Sequence, residues 1–120
     1  MDVSGKPLVI PTAAEILRIK AWLALTRNQT RDYIDIAALA DRIGIDEAAS
    51  VLGRMDDYYQ DLNRRPEAVA SQVARHLADP WPRDEAVTRQ LSSYKSLEPR
   101  WHSWSAVTSV LAAVAESMTR

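Results

Sequence analysis

The sequence predicts an all-α fold, a bundle of five or six helices preceded by a short extended strand. Apolar residues recur at three- and four-residue spacing in several segments, which is the helical period. Capping residues, glycines and prolines separate these segments at the positions where helices begin and end. A chain of 120 residues that is 47% hydrophobic can bury a real core. We therefore expect residues 1–120 to form a single helical domain.

The chain starts with a predicted edge strand and then turns into the first helix. The strand prediction rests on residues 3–10, which end in the apolar run Leu8-Val9-Ile10. After it, Thr12 and Glu15 stand at the spacing of a capping box, in which each side chain satisfies a backbone amide at the helix start. This pattern predicts a first helix that runs to about Arg27.

The later helices are predicted from similar signals. Their segments run from Thr30 to Gly44, from Asp46 to Gln60, from Pro66 to Asp79, from about Asp84 to Tyr94, and from Pro99 to Met118. Thr30 and Asp46 are favourable N-terminal caps, and Gly44 is a typical C-terminal stop. Gly53 lies inside the third helix, where it either weakens the helix or permits close packing.

The composition excludes several classes of site and of location. The chain has no cysteine and only two histidines, His76 and His102, so disulfides are excluded and we expect no zinc. Its net charge of −1 gives no overall basic field, so nucleic-acid binding would need a local patch. No stretch approaches the roughly 20 apolar residues of a membrane span. Without a recognisable signal peptide, we expect a cytoplasmic protein with no membrane partner.

Charged residues lie on the apolar faces of the first two helices. Lys20 falls within the apolar stripe of the first helix, Asp32 within that of the second, and Asp35 on its border. In an antiparallel hairpin, Lys20 lies about 4.5 Å along the axis from the level of Asp35, while Asp32 is better placed for Arg27. One interpretation is a set of interhelical ion pairs. The other is that Lys20 faces an anionic ligand such as a phosphate, held in position by Asp32 and Asp35.

The hairpin sequence resembles a family of enzymes. The run Pro11-Thr-Ala-Ala-Glu-Ile-Leu-Arg-Ile-Lys20-Ala-Trp22, followed by Arg27-Asn28-x-x-Arg31-Asp32-Tyr-x-Asp35, is similar to the C-terminal half of AbiEii/AbiGii-type nucleotidyltransferase toxins. The resemblance implies that Lys20 and Asp32 are catalytic, and that Lys20, Arg31 and Asp35 bind the nucleotide. It also implies transfer of a nucleotide from a nucleoside triphosphate with Mg²⁺, in a toxin–antitoxin setting.

The chain departs from that family in the metal-binding half. Such enzymes carry a Gly-Ser turn and an Asp-x-Asp pair upstream, and neither occurs here. We therefore expect the chain to be inactive alone, without a metal or cofactor of its own. Its expected partners are a separate catalytic-half chain, an antitoxin, or a second copy joined through the Leu8-Val9-Ile10 strand. The alternative hypothesis is a non-catalytic interaction or structural module, such as a homodimer.

Overall fold

The computed structural model describes residues 11–94 and 97–120, and every regular element in these ranges is helical. The α-helices are α1 (Ala13–Thr26), α2 (Thr30–Ile43), α3 (Ile45–Gly53), α4 (Asp56–Tyr59), α5 (Val69–Ala78), α6 (Glu85–Thr88) and α7 (Trp104–Met118). Three short 3₁₀ segments cover Gln60–Leu62, Leu91–Ser93 and Pro99–His102. The predicted helical class is confirmed. The predicted strand Leu8-Val9-Ile10 lies outside the described residues.

Helix α1 begins as the sequence predicts. The Glu15 amide donates to Thr12 Oγ1 at 3.1 Å, and the Thr12 amide donates to Glu15 Oε1 at 3.0 Å. Both hydrogen bonds of the capping box are therefore present. The hydrogen bond from the Thr12 amide is the main cause that lowers the pKa of the exposed Glu15 carboxyl, because it favours the charged form.

Helix α2 ends as predicted but is capped differently at its start. Gly44 follows its last residue with a φ of 105°, a conformation that favours glycine, as the stop signal requires. Thr30, however, is the first helical residue, and its side chain does not cap the helix. Its amide and its hydroxyl both donate to Asp84 Oδ1 at 2.7 Å. A carboxylate from a distant segment therefore satisfies the first amide of α2.

The predicted third helix is divided in two. Helix α3 stops at Gly53, and the short helix α4 follows from Asp56, so the expected continuous helix to Gln60 is wrong. A Cβ added at Gly53 would meet nothing within 4 Å, so this glycine is not required for close packing. Its low helix propensity accounts for the break. Asp46 also does not cap α3, since Gly44 takes that position and Asp46 accepts a hydrogen bond from the Ser117 hydroxyl.

The C-terminal half follows the predicted order with shifted bounds. Helix α5 begins at Val69 rather than at Pro66, because Asp56 accepts hydrogen bonds from the amides of Val69 and Ala70 at 2.7 and 3.1 Å. The predicted fifth helix is reduced to α6 and a 3₁₀ segment. The last predicted helix is likewise divided at Ser103, whose hydroxyl caps α7.

Helix α7 forms the centre of the bundle and packs against α2, α3 and α5, while α1 and α2 form an antiparallel hairpin beside it. The core combines apolar side chains from every helix of nine residues or more with Met55, Leu91 and Trp101 from the shorter segments. Its largest fully buried members are Tyr33, Leu17, Ile36, Leu52, Met55, Leu77, Leu91 and Leu111. Within residues 11–94 and 97–120, no helix has both the length and the apolar character needed to cross a membrane.

Candidate functional site

The charged residues singled out in the sequence meet at the interface of α1 and α2. Lys20 Nζ lies 2.8 Å from Asp35 Oδ2, and Arg31 Nε lies 3.4 Å from Asp35 Oδ1. The side chains of Lys20 and Asp35 retain 27% and 28% of their exposure. The predicted pairing of Lys20 with Asp35 is confirmed, and Arg31 shares the same carboxylate.

Asp32 belongs to a second, more deeply buried pair. Its side chain is fully buried, and Arg27 donates to both of its oxygens, from Nε at 3.0 Å and from Nη2 at 2.8 Å. These hydrogen bonds from the guanidinium raise the pKa of Arg27. The pairing of Asp32 with Arg27, expected from the axial offset, is confirmed. A two-point guanidinium contact satisfies a carboxylate that has lost its water.

The four predicted site residues thus lie on one hairpin but form two separate groups. Lys20, Arg31 and Asp35 make one group, and Asp32 joins Arg27 in the other. The expected working pair of Lys20 and Asp32 is not brought into contact. Both carboxylates already have cationic partners within the chain. This arrangement favours the interpretation of interhelical ion pairs that orient the hairpin.

Asn28 joins several segments by hydrogen bonds, a role that the sequence interpretation missed. It connects α1 to α2 with a φ of 53°, a left-handed conformation that asparagine tolerates better than most residues. The buried Tyr33 hydroxyl donates to its side-chain oxygen, and its amide nitrogen donates to the Trp81 carbonyl at 2.7 Å. Its own carbonyl accepts from the Arg83 amide at 2.8 Å. The sequence signal that could have indicated this role is the position of an asparagine between two predicted helices.

Tyr33 owes its electrostatic properties to this position. Burial, and to a lesser extent the nearby charge of Asp32, raise the pKa of Tyr33 to about 12. Its ring also meets Trp104 edge-on, with ring centres 6.4 Å apart. The phenol therefore stays neutral at ordinary pH and serves as a hydrogen-bond donor to Asn28.

Within residues 11–94 and 97–120, no group of three or more histidine, aspartate or glutamate side chains is placed to hold a metal ion. The expected Mg²⁺ and nucleoside triphosphate belonged only to a site completed by another chain. That expectation depends on the resemblance to nucleotidyltransferase toxins alone.

The comparisons relate this chain to transport proteins. It is 45% identical over 82 residues to the mycolic acid-containing lipids exporter MmpL11 of Mycolicibacterium smegmatis. It is 43% identical over 81 residues to the heme uptake protein MmpL11 of Mycobacterium tuberculosis, and 41% identical over 81 residues to the probable transport protein MmpL11 of Mycobacterium leprae. Each match covers 68% of this chain but only 9%, 8% and 8% of the relatives, in that order. No family model matches the chain, and no solved structure matches it.

These relatives correct the functional predictions made from the hairpin. The identification with AbiEii/AbiGii-type nucleotidyltransferase toxins is wrong, because the curated relatives are MmpL11 proteins. The interpretation as part of a split toxin in a toxin–antitoxin setting is wrong for the same reason. Nothing supports the expected catalytic-half or antitoxin partner. The expected cytoplasmic location is also wrong, since the relatives are an exporter and an uptake protein. Ion pairs that stabilise a helical hairpin can produce the same spacing of charged residues as the toxin motif, so this spacing alone does not identify the family.

Proposed function

We propose that this chain is a non-catalytic helical module that serves a transport system of the MmpL11 kind, in a structural or interaction role. One observation carries the proposal: the 45% identity over 82 residues to an exporter of which the match covers 9%. A segment that forms so small a share of a long transport protein supplies one part of its architecture. We infer the same kind of part for this chain.

The geometry of the hairpin supports a structural role. Asp32 and Arg27 form a buried two-point pair, and Lys20, Arg31 and Asp35 form a half-buried group beside it. A buried charge pair of this kind fixes the register and orientation of the elements that carry it. The charged side chains therefore act in holding α1 against α2.

The names of the relatives suggest a role that is shared across cargoes. One relative is an exporter of mycolic acid-containing lipids, and another is a heme uptake protein. The chain is 45% and 43% identical to their matching segments. A segment that is similar in proteins with different named cargoes would contribute to assembly or positioning of the transporter rather than to cargo selection.

Exchange of the matching segment tests the proposal. In the Mycolicibacterium smegmatis exporter, the matched segment is replaced by the aligned residues of this chain, and export of mycolic acid-containing lipids is measured together with the amount of protein. We expect at least about half of the export to remain, because a helical core tolerates many substitutions that keep its volume and apolar pattern. Deletion of the segment should abolish export.

A control exchange separates a specific role from a mere spacer. A helical segment of equal length and unrelated sequence is placed at the same position. We expect the exporter with this unrelated segment to show no lipid export. The proposal is contradicted if this control supports export as well as the exchanged chain does, or if the exchanged protein is present in normal amount but exports nothing.

A further inference from the structure

Trp81 is the most exposed large hydrophobic residue of the described chain, at 70%. It stands between two prolines, Pro80 and Pro82, in the loop from α5 to α6. An aromatic side chain of this size leaves a large apolar area in water. Tryptophan is also one of the residues that most often carries the binding energy of protein interfaces. Trp81 is therefore a candidate anchor residue for a binding partner.

The loop that carries Trp81 is held firmly in place. The indole Nε1 donates to Asp79 Oδ2 at 3.1 Å, and the Trp81 carbonyl accepts from Asn28 Nδ2 at 2.7 Å. The amide of Arg83 binds the Asn28 carbonyl on the far side of the loop. The two prolines restrict the backbone further. Binding at a loop already fixed in this way costs little conformational entropy.

Trp81 and Trp104 both line a small slot. The slot has a volume of about 220 Å³, and the residues that line it also include Asp79, Glu85, Pro80 and Pro82. The ring of Trp104 also packs edge-on against the ring of Tyr33. Among the described residues that line the slot, none is cationic. It is therefore aromatic and acidic together.

We propose that this slot, the Trp81–Trp104 slot, binds the guanidinium of an arginine side chain from a protein partner. Arginine stacks on indole faces and donates several hydrogen bonds in one plane, so a slot lined by tryptophans and acidic residues offers both kinds of contact that it makes. The volume lies below the roughly 300–1,000 Å³ of small-molecule sites and suits one side chain. The slot belongs to this chain's own side chains and does not depend on the proposed transport role.

Short peptides test the chemistry of the slot. The purified chain is titrated with acetylated and amidated Gly-Gly-Arg-Gly-Gly, and the indole N–H signals are followed by NMR. A single side chain should bind with a Kd on the order of 1 mM. A citrulline peptide has the same shape without the charge and should bind at least about five times more weakly. Equal binding of both peptides, or no binding of the arginine peptide at several millimolar, overturns the proposal.

Further probes distinguish the source of the cation. A lysine peptide and free choline carry a positive charge without a planar fork of donors. We expect both to bind more weakly than the arginine peptide. Choline that binds more tightly than the arginine peptide would point to a lipid headgroup and would overturn the assignment to a protein partner.

Variants locate the binding. Trp81→Ala and Glu85→Gln should each weaken arginine-peptide binding by about three- to tenfold, since each removes one of the proposed contacts. Tyr58→Ala and Glu47→Gln, at other exposed positions, are the matched controls and should leave binding unchanged. Trp81 and Glu85 are both exposed, so their substitution should leave the fold intact. The urea midpoint of each variant checks this. Glu85→Gln keeps the size of the side chain, so it remains a valid test of the slot if Trp81→Ala unfolds. Unchanged binding in a folded variant of the slot overturns the proposal.

Discussion

The charged residues of the α1–α2 hairpin differ in how far water reaches them. Asp32 is fully buried, whereas Asp35 keeps 28% of its side-chain exposure. A carboxylate that loses its hydration must recover the free energy through hydrogen bonds, and Arg27 provides two. A pair that stays in contact with water contributes little to stability. The two aspartates should therefore respond differently to the same substitution.

Asp32→Asn should lower the free energy of unfolding by about 2–3 kcal/mol, because hydrogen bonds to a charged group are lost and the new amide group faces the donors of Arg27. Asp35→Asn is the matched control and should cost less than about 1 kcal/mol. Urea unfolding of both variants measures the difference. Equal losses would show that burial does not distinguish the two carboxylates.

The surface pair of Glu67 and Arg75 predicts a dependence of stability on pH. Arg75 Nη2 lies 2.6 Å from Glu67 Oε1, and this hydrogen bond lowers the pKa of Glu67. A carboxyl whose folded pKa is lowered contributes stability above its unfolded pKa of about 4.3 and loses that contribution as the pH falls through the folded value. Glu67→Gln should therefore melt at a lower temperature than the wild type at pH 7. This difference should shrink as the pH falls below about 4.

Melting temperatures from pH 7 down to about pH 3 check this prediction. Arg75→Gln removes the other partner and should show the same narrowing gap. A gap that stays constant over the whole range would mean that Glu67 acts through packing rather than through its charge.

At the scale of the elements, two helices are capped by carboxylates from other segments. Asp56 accepts from the first amides of α5 over 13 residues of sequence, and Asp84 accepts from the first amide of α2 over 54 residues. The first amides of a helix have no partner inside it, and they attract negative charge. These caps fix where each helix begins and also tie it to a neighbouring segment.

Asp56→Ala should therefore loosen the start of α5. We expect a loss of about 1–2 kcal/mol in the free energy of unfolding, as for other helix caps. The amides of Val69 and Ala70 should also exchange faster with solvent. The neighbour Asp57 is the control, because its side chain is 67% exposed and its ion pair with Arg54 is long, at 3.9 Å. Asp57→Ala should therefore change the free energy of unfolding by less than about 0.5 kcal/mol. Unchanged exchange in Asp56→Ala would contradict the role of the cap.

At the scale of the whole molecule, α7 joins the other long helices into one core. It packs against α2, α3 and α5, and its residues Val107, Leu111 and Val114 are fully buried. Burial of side chains like these supplies most of the free energy that opposes the entropy of the unfolded chain. The stability of the bundle therefore depends on this helix.

Leu111→Ala tests that dependence. It should lower the free energy of unfolding by about 2–5 kcal/mol, because it leaves a cavity in the centre of the core. A small domain has only about 5–15 kcal/mol in total, so the urea midpoint should fall markedly. Leu62→Ala, at a side chain that is 52% exposed, should cost less than about 1 kcal/mol. Similar midpoints for the two variants would place the core elsewhere.

The sequence by itself determined the features that depend on neighbours within a few residues. The capping box of Thr12 and Glu15 starts α1, and Gly44 ends α2, as predicted. Simple helix geometry also paired Lys20 with Asp35, because a hairpin with a short connection allows few registers. Such signals are local, so they can be read along the chain.

Features that depend on distant partners emerge only when the helices pack together. The start of α5 follows Asp56 rather than Pro66, and the slot beside Trp81 exists because Asn28 holds its loop and α7 brings Trp104 to it. The sequence left open for the same reason whether the charges at Lys20 and Asp32 pair across the hairpin or face a ligand. A sequence gives the positions of charges along a helix, whereas their partners and their burial are set by how the helices pack.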